Sequence, residues 1–180
     1  MTDKEQMLLL DSLRTFPEAV IYTIVDNRYD KTLQPARDSV DLLLASGMRQ
    51  KDILRALGYK PRYYIASFPY AGRVSVAFPH LKLFGVARQT PSNFKWDDKT
   101  FEYLKPTPSM MNTAHSGMIS SYIKAYYNTV LIPNLNRLDD ELDDNYCFFC
   151  HCPAGLSYCH KRLIGDELGL RGWVMYAASL

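Results

Sequence analysis

The sequence lacks the short motifs that identify the commonest nucleotide-binding and hydrolytic proteins. It has no P-loop, no GxGxxG dinucleotide-binding motif, no GxSxG nucleophile elbow and no HExxH zinc motif. It also has no apolar run near the roughly 20 residues that a membrane helix needs, so we expect no membrane partner. The net charge of +2 is too small to require a polyanionic partner.

Cysteine is absent from most of the chain, and this absence is informative. All four cysteines lie within residues 146–168, together with two of the four histidines. Thiols gathered into one segment indicate a site, and the spacing is not that of a disulfide framework. We therefore expect the protein in a reducing compartment, the cytoplasm.

The first part of this segment, residues 146–152, predicts a buried strand. It is short, aromatic and apolar, and Pro-Ala-Gly ends it at once. Side chains alternate along a strand, so Cys150 and Cys152 should share one face, while Cys147 and His151 point to the other. Cys147 is then a core residue, and the CxxC sequence that it forms with Cys150 is not a metal-binding motif.

The second part, CHKRLIGDELGL, has the apolar spacing of an amphipathic helix that ends near Gly169. Cys159 and His160 fall at its start, where unpaired N–H groups bind anions. The helix dipole, Lys161 and Arg162 should lower the pKa of Cys159. This predicts Cys159 as the nucleophile and His160 as its acid, base or orienting residue. Arg162 and the helix start would bind an anionic group of the substrate, and Lys161 would lie beside them as a further substrate-binding residue.

Two other interpretations of the cysteines remain open. The thiols can be core residues, because free cysteine is among the most buried residue types. They can also form a zinc site or a redox switch, with Cys150, Cys152, Cys159 and His160 as ligands. The Cys-x-Cys spacing and the lack of a second ligand pair depart from the common zinc patterns. No other cofactor is indicated.

The stretch FFCHCPAGLSYCHKRLIGDEL resembles the signature of the uncharacterised proteins catalogued as domain of unknown function 488. Lys161 stands where that family usually has arginine. More weakly, IYTIVDNR (residues 21–28) is similar to the family's early strand, and residues 58–72 to its second strand and following glycine. The resemblance implies a Rossmann-like α/β fold, no established reaction, and a link to nucleic acid because some members are described together with DNA glycosylases.

The first half of the chain supplies a second pair of candidate residues. Residues 3–16 predict a helix capped by Asp3, and residues 19–25 a β-branched first strand. Asp26 and Arg28 follow that strand. Ligands bind outside the carboxyl ends of parallel strands, so we expect Asp26 as a catalytic residue and Arg28 as a substrate-binding residue. Their loop, residues 26–29, and the loop at 152–162 should face one crevice.

Residues 39–59 predict two short helices joined at Gly47, which is either structural packing or a DNA-binding helix-turn-helix. In the DNA-binding alternative, the exposed face of the second helix carries Arg49, Gln50, Lys51 and Arg55.

Strands are predicted at residues 63–67 and 74–78, with Tyr70 and Arg73 between them as substrate-binding residues that stack on bases and neutralise phosphate. Residues 79–108 predict a loop-rich insertion, and residues 116–142 a long helical region interrupted at Pro133. The acidic run at 139–144 is expected to be a solvated surface.

Together these patterns predict one α/β domain over residues 1–180, Rossmann-like, with a mainly parallel sheet flanked by helices. The preferred function is an enzyme, a hydrolase or transferase, that acts on a nucleotide, nucleic-acid base or other phosphate-bearing substrate. Cys159, His160 and Arg162 would carry the reaction, with Cys150 and Cys152 as a second wall of thiols. The alternatives are a DNA-binding protein and a zinc-binding or redox protein.

Overall fold

The computed structural model describes residues 1–26, 31–92, 96, 101–152 and 158–177. Arg28 lies outside these residues. None of the helices described is both long and apolar enough to cross a membrane. The chain divides into two compact units, the first made of Met1–Arg62 and Asp143–Asn145, and the second of Tyr63–Leu142 and Tyr146–Leu180. The prediction of one domain over residues 1–180 stays a prediction.

The first unit is helical. Its elements are α1 (Asp3–Leu13), α2 (Glu18–Val25), a 3₁₀ turn (Lys31–Leu33), α3 (Gln34–Ala45) and α4 (Gln50–Ala56). The residue that caps α1 is Thr2 and not Asp3: the Thr2 side chain accepts from the Glu5 backbone, and the Glu5 carboxylate accepts from the Thr2 backbone. Apolar residues from all four helices form one buried core.

The strand predicted at residues 19–25 is wrong, because this segment is the helix α2. Its buried side chains are those of Ile21, Ile24 and Val25. Separations of three and four residues place them on one face of a helix, whereas a half-buried strand would bury alternate residues. The segment is rich in β-branched residues, but burial of this face in a helical core outweighs their strand preference.

The prediction of two short helices joined by a tight turn at residues 39–59 is confirmed. Helices α3 and α4 are joined by a tight turn at Gly47, whose φ of +95° is a conformation that residues with a side chain rarely adopt. Ile53 is fully buried, as the pattern indicated.

The second unit is of the predicted α/β class. Its four strands are β1 (Arg62–Ser67), β2 (Lys82–Gly85), β3 (Tyr146–Cys150) and β4 (Val174–Ala177), and they form one parallel sheet in the order β2-β3-β1-β4. The helices that flank it are α5 (Ala71–Ala77), α6 (Pro108–His115), α7 (Ile119–Tyr126), α8 (Ile132–Glu141) and α9 (His160–Leu170). Short 3₁₀ turns lie at Phe68–Tyr70 and Glu102–Leu104.

One prediction in this unit is wrong and two are confirmed. Residues 74–78 were predicted as a strand, but they belong mostly to α5. Strand β2 lies inside the region predicted as a loop-rich insertion, where Leu83 and Phe84 pack into the core. The strand at residues 63–67 is confirmed as part of β1, and the strand predicted at 146–152 is confirmed as β3, which is buried at every position. Such continuous burial is typical of a central parallel strand.

The long helical region is confirmed and contains an irregularity at its proline. Between α7 and α8 the chain makes a π-helical turn, Tyr127–Leu131, and Pro133 lies in the first turn of α8. Proline has no N–H to donate, and its ring needs room beside the preceding turn. The wider π turn supplies that room, so the helical path continues without a sharp break.

The order of the strands creates a switch point at the centre of the sheet. From β1 the chain passes through α5 to β2, which is one edge strand of the sheet. From β3 it passes through α9 to β4, which is the opposite edge strand. The two neighbouring strands β1 and β3 end side by side, with Ser67 paired to Cys150. Ligands of open parallel sheets bind where adjacent connections diverge in this way.

Candidate functional site: a thiol cluster at the switch point

Three of the four cysteines meet at the carboxyl end of β3. The Cys150 thiol lies 3.5 Å from Cys152 Sγ, which confirms that these two side chains share one face. Cys159 immediately precedes α9, and its Sγ lies within 4.8 Å of Cys150 Sγ. Cys150 and Cys159 are buried, Cys152 is half-buried, and all three are free thiols.

A histidine completes the cluster. The ligand atoms of Cys150, Cys159 and His160 all lie within 4.8 Å of one another, and all three residues are buried. Cys147 points away and is buried in the core, as predicted from strand alternation. Burial raises the pKa of the Cys147 thiol, so this residue stays protonated and inert.

Hydrogen bonds between the thiols decide which of them carries a negative charge. The hydrogen bond that the Cys150 thiol donates to Cys152, the neighbouring Cys159 thiol and the charge of Lys161 lower the pKa of Cys152. The pKa of Cys150 is raised because its thiol is the donor to Cys152 and is itself buried. Cys152 is therefore the thiol of the cluster whose pKa is lowered.

The prediction of a lowered pKa for Cys159 is wrong. The neighbouring Cys150 favours the Cys159 thiolate, but Cys152 and the burial of the side chain outweigh that effect and raise the pKa of Cys159. The start of α9 was placed correctly, but the sequence does not show that a second thiol would compete for the same charge. The thiol with a lowered pKa is that of Cys152.

The imidazole of His160 is held in a buried position beside the thiols. The Tyr122 hydroxyl lies 3.3 Å from Nδ1. Burial lowers the pKa of His160 to about 4, so the ring is neutral near pH 7. The Val86 backbone faces the ring, but Nε2 makes no hydrogen bond of normal geometry to any described residue.

Lys161 is buried and turned toward the backbone. Its Nζ donates to the carbonyl oxygen of Ala66 at 3.0 Å, to Ser67 Oγ at 3.1 Å and to the carbonyl oxygen of Cys152 at 3.3 Å. No carboxylate in the described part of the chain pairs with it. The Lys161 ammonium group thus links the end of β1 to the cysteine segment, and its charge favours thiolate at Cys152.

A pocket of about 580 Å³ opens beside the cluster. Its apolar wall includes Ala87, Met111 and Ala114, and its polar side chains include Arg88 and His115. The remaining lining residues are Gln89 after β2, Tyr122 of α7, and six residues of the cysteine segment, namely Cys150, His151, Cys152, Tyr158, Cys159 and His160. The volume is in the usual range for small-molecule sites.

Four predicted substrate-binding residues do not line this pocket, namely Lys161, Arg162, Tyr70 and Arg73. Arg162 is exposed, and its Nε lies 3.7 Å from Asp166 Oδ1 on the next turn of α9. Tyr70 and Arg73 follow the end of β1 and are exposed, but neither is a lining residue. The arginine that does line the pocket is Arg88. Arg88 lies just after β2, in a region where the sequence predicted only loops.

Asp26 belongs to a different arrangement, in the first unit. It follows a helix and not a parallel strand, so the reason for assigning it to the cysteine site no longer holds. Its Oδ1 accepts from Arg62 Nη2 at 2.6 Å, and the same Nη2 donates to Asp144 Oδ2 at 2.7 Å. All three residues are buried. Asp144 thus departs from the solvated surface predicted for the acidic run.

The predicted recognition helix is only partly exposed. Lys51 is 1% exposed, and its backbone N–H donates to Asp143 Oδ1 at 2.8 Å. Gln50 Nε2 donates to the Val25 carbonyl at 3.1 Å. Arg49 and Arg55 are exposed, but Arg49 pairs with Asp52. The exposed face therefore loses Lys51, and DNA binding itself stays a prediction.

Comparison of the chain with protein-family models, with curated proteins and with solved structures gave no match in any of the three. The resemblance to the family of domain of unknown function 488 stays a prediction carried by the cysteine segment.

Proposed function

We propose that the protein is an enzyme that binds a small phosphate-bearing substrate, such as a nucleotide, in the pocket beside the thiol cluster. One observation carries the proposal: the pocket lies at the switch point of a parallel sheet and is lined by three cysteines and a buried histidine. A concave site that combines apolar walls with a few converging reactive side chains is typical of an enzyme's substrate site.

The pocket chemistry supports an amphipathic substrate. Ala87, Met111 and Ala114 offer apolar contacts to a base or another flat group, and Tyr122 contributes an aromatic side chain. A volume of about 580 Å³ accommodates a molecule of the size of a mononucleotide.

Arg88 supports an anionic group on the substrate. It is exposed, it lines the pocket, and no carboxylate of the described residues pairs with it. A guanidinium group binds phosphate through two parallel hydrogen bonds. His115 and His151 lie on the same pocket lining and can donate further hydrogen bonds.

Cys152 is the thiol that we expect to meet the substrate. It is half-buried and lines the pocket, whereas Cys150 and Cys159 are almost fully buried. The proposal therefore keeps the predicted class of substrate and moves the reactive sulfur from Cys159 to Cys152.

Ligand-observed NMR tests this proposal with inorganic phosphate, a nucleoside and the matching nucleoside monophosphate. We expect the monophosphate to bind more tightly than the nucleoside. The variant Ala114→Trp fills the pocket and should weaken binding by roughly tenfold or more. Ala77→Trp is the matched control, because Ala77 is exposed on α5 and does not line the pocket.

Two outcomes would contradict the proposal. One is that neither phosphate nor the monophosphate binds. The other is that binding is the same in Ala114→Trp and in the control. A DNA duplex that binds equally well to wild-type protein and to Ala114→Trp would instead favour the DNA-binding alternative.

A further inference from the structure

We infer that Cys150, Cys159 and His160 hold a zinc ion, with Cys152 as a fourth, exchangeable ligand on the pocket side. The inference deepens the proposed function, because it names a metal for the same pocket. Binding of zinc does not depend on the proposed function, but any reaction of a substrate at the zinc rests on it.

The spacing of the ligand atoms matches the metal. In a tetrahedral site with Zn–S distances of about 2.3 Å, neighbouring sulfurs lie about 3.8 Å apart. Cys150 and Cys152 have their sulfurs 3.5 Å apart, and the ligand atoms of Cys150, Cys159 and His160 are all within 4.8 Å of each other. Three ligand atoms are thus within reach of one ion, and Cys152, next to Cys150, is placed to supply a fourth.

The histidine is held as a metal ligand would be. A neutral imidazole has one N–H and one lone pair, so one ring nitrogen is always able to coordinate a metal. The ring is 3% exposed, Nδ1 faces the Tyr122 hydroxyl, and Nε2 makes no hydrogen bond of normal geometry to any residue described. Metal-binding histidines are commonly oriented by a hydrogen bond at their other nitrogen. With Nε2 as the ligand atom, Tyr122 would position the ring through Nδ1.

Lys161 can neutralise the net charge of the zinc site. Zn²⁺ with three thiolates and a neutral imidazole has a net charge of about −1. Lys161 lies buried next to the cluster, donates to the carbonyl of Cys152, and has no carboxylate partner among the described residues. Its ammonium group is the counter-charge, which explains why a buried cation without an acidic partner is tolerated here.

The donor set favours zinc over other metals. Sulfur and imidazole ligands in tetrahedral spacing suit Zn²⁺, whereas Mg²⁺ and Ca²⁺ require oxygen ligands. Cys150, Cys159 and His160 are all buried, but Cys152 is half-buried and borders the pocket. A site with three fixed ligands and a replaceable fourth has the composition of a catalytic zinc site, in which a substrate or water takes the open position.

The test uses the full chain, purified without chelators. We expect about one zinc per chain by plasma mass spectrometry, as a single site of this kind requires. Replacement by Co²⁺ should produce thiolate-to-cobalt charge-transfer absorption. Iodoacetamide should alkylate Cys150, Cys152 and Cys159 slowly until a chelator is added, as read by peptide mass spectrometry. Cys147 should react slowly in both conditions because it is buried in the core.

Variants separate ligation from folding. Cys150→Ala and Cys159→Ala should each weaken cobalt binding by at least about a hundredfold, and Tyr122→Phe by roughly tenfold. Cys152→Ser should still bind cobalt but with altered absorption. Cys147→Ala is the matched control and should bind cobalt as the wild type does. Circular dichroism checks that each variant is folded.

The inference is overturned if the wild-type protein contains no zinc, cannot be loaded with cobalt and shows no effect of chelator on alkylation. Equal cobalt affinity in Cys159→Ala and Cys147→Ala would overturn it as well. Failure of the proposed function is a separate result, since the protein could then bind zinc yet no phosphate-bearing ligand. If the protein binds the monophosphate but contains no zinc, the zinc inference is rejected and the proposed function is kept.

Discussion

The Nζ atom of Lys161 lies 3.1 Å from the Oγ atom of Ser67, which joins the start of α9 to the last residue of β1. Ser67 in turn donates to the carbonyl oxygen of Cys152 at 2.8 Å. The two side chains therefore fix three chain segments around the switch point. The position of the thiol cluster depends on this polar link as well as on the sheet.

Lys161→Met should lower the free energy of unfolding by about 2–4 kcal/mol, because it leaves buried acceptors without their donor. Chemical denaturation with urea measures the change. Lys124→Met is the matched control, since Lys124 is exposed on α7, and it should change the free energy of unfolding by less than about 0.5 kcal/mol. Equal effects of the two substitutions would show that the buried link does not stabilise the fold.

The cysteine segment was predictable because its signals are local. A short apolar run ended by Pro-Ala-Gly predicted β3, and helical spacing after Cys159 predicted α9. Alternation along the strand then placed Cys150 beside Cys152. By contrast, the pKa order of the thiols depends on contacts between segments, and no spacing pattern contains that information.

Other parts could not be predicted because tertiary packing decided them. The run AVIYTIV has the composition of a strand, but burial of one face makes it the helix α2. Arg88 and Asp144 gave no signal of their own, since one lies in a region predicted as loops and the other in an acidic run. Their roles arise from what the fold brings next to them.

Gly165 permits a close approach between α9 and β1. A Cβ atom at this position would lie 2.4 Å from Tyr63 Oη and 3.1 Å from Met175 Sδ. The Tyr63 side chain is fully buried, so it has little room to move. Gly165→Ala should therefore destabilise the fold by about 1–3 kcal/mol, measured by urea unfolding.

Removal of the Tyr63 hydroxyl provides the control for this prediction. That hydroxyl has no hydrogen-bond partner among the residues described, so Tyr63→Phe alone should be close to neutral. In the double variant Gly165→Ala with Tyr63→Phe, we expect part of the lost stability to return. If the two changes are simply additive, the clash with the hydroxyl is not the cause.

Asp144 should make the stability of the first unit depend on pH. Burial raises the pKa of Asp144 to about 6, even though Arg62 donates to its carboxylate and opposes the rise. Between about pH 4 and pH 6 the folded protein then holds a proton that the unfolded chain releases. The contribution of Asp144 to stability is thus present at low pH and is lost as the pH rises through about 6.

Urea unfolding from pH 4 to 7 of the wild type and of Asp144→Asn isolates this contribution. Between these limits the free energy of unfolding of the wild type should fall by about 3 kcal/mol relative to that of the variant. This is the free energy that corresponds to a pKa shift of about two units. Asp41→Asn is the control, because Asp41 is exposed on α3, and its curve should run parallel to that of the wild type. Parallel curves for Asp144→Asn would contradict the raised pKa.

The choice among three arginines tests the substrate site most directly. The sequence assigned anion binding to Arg162 and Arg73, whereas the structure places Arg88 in the pocket lining. Arg88→Ala should weaken binding of the nucleoside monophosphate by roughly tenfold or more, because a charge-assisted hydrogen bond contributes about 1.5–3 kcal/mol. Its stability should stay near that of the wild type, since Arg88 is exposed.

Arg73→Ala and Arg162→Ala serve as the comparison, because both side chains are exposed and neither lines the pocket. We expect both variants to bind the monophosphate within about twofold of the wild type, the range expected of surface substitutions away from a site. Binding affinities from NMR titration decide the matter. A loss in Arg162→Ala with none in Arg88→Ala would return the anion site to the start of α9, where the helix N-terminus also favours phosphate.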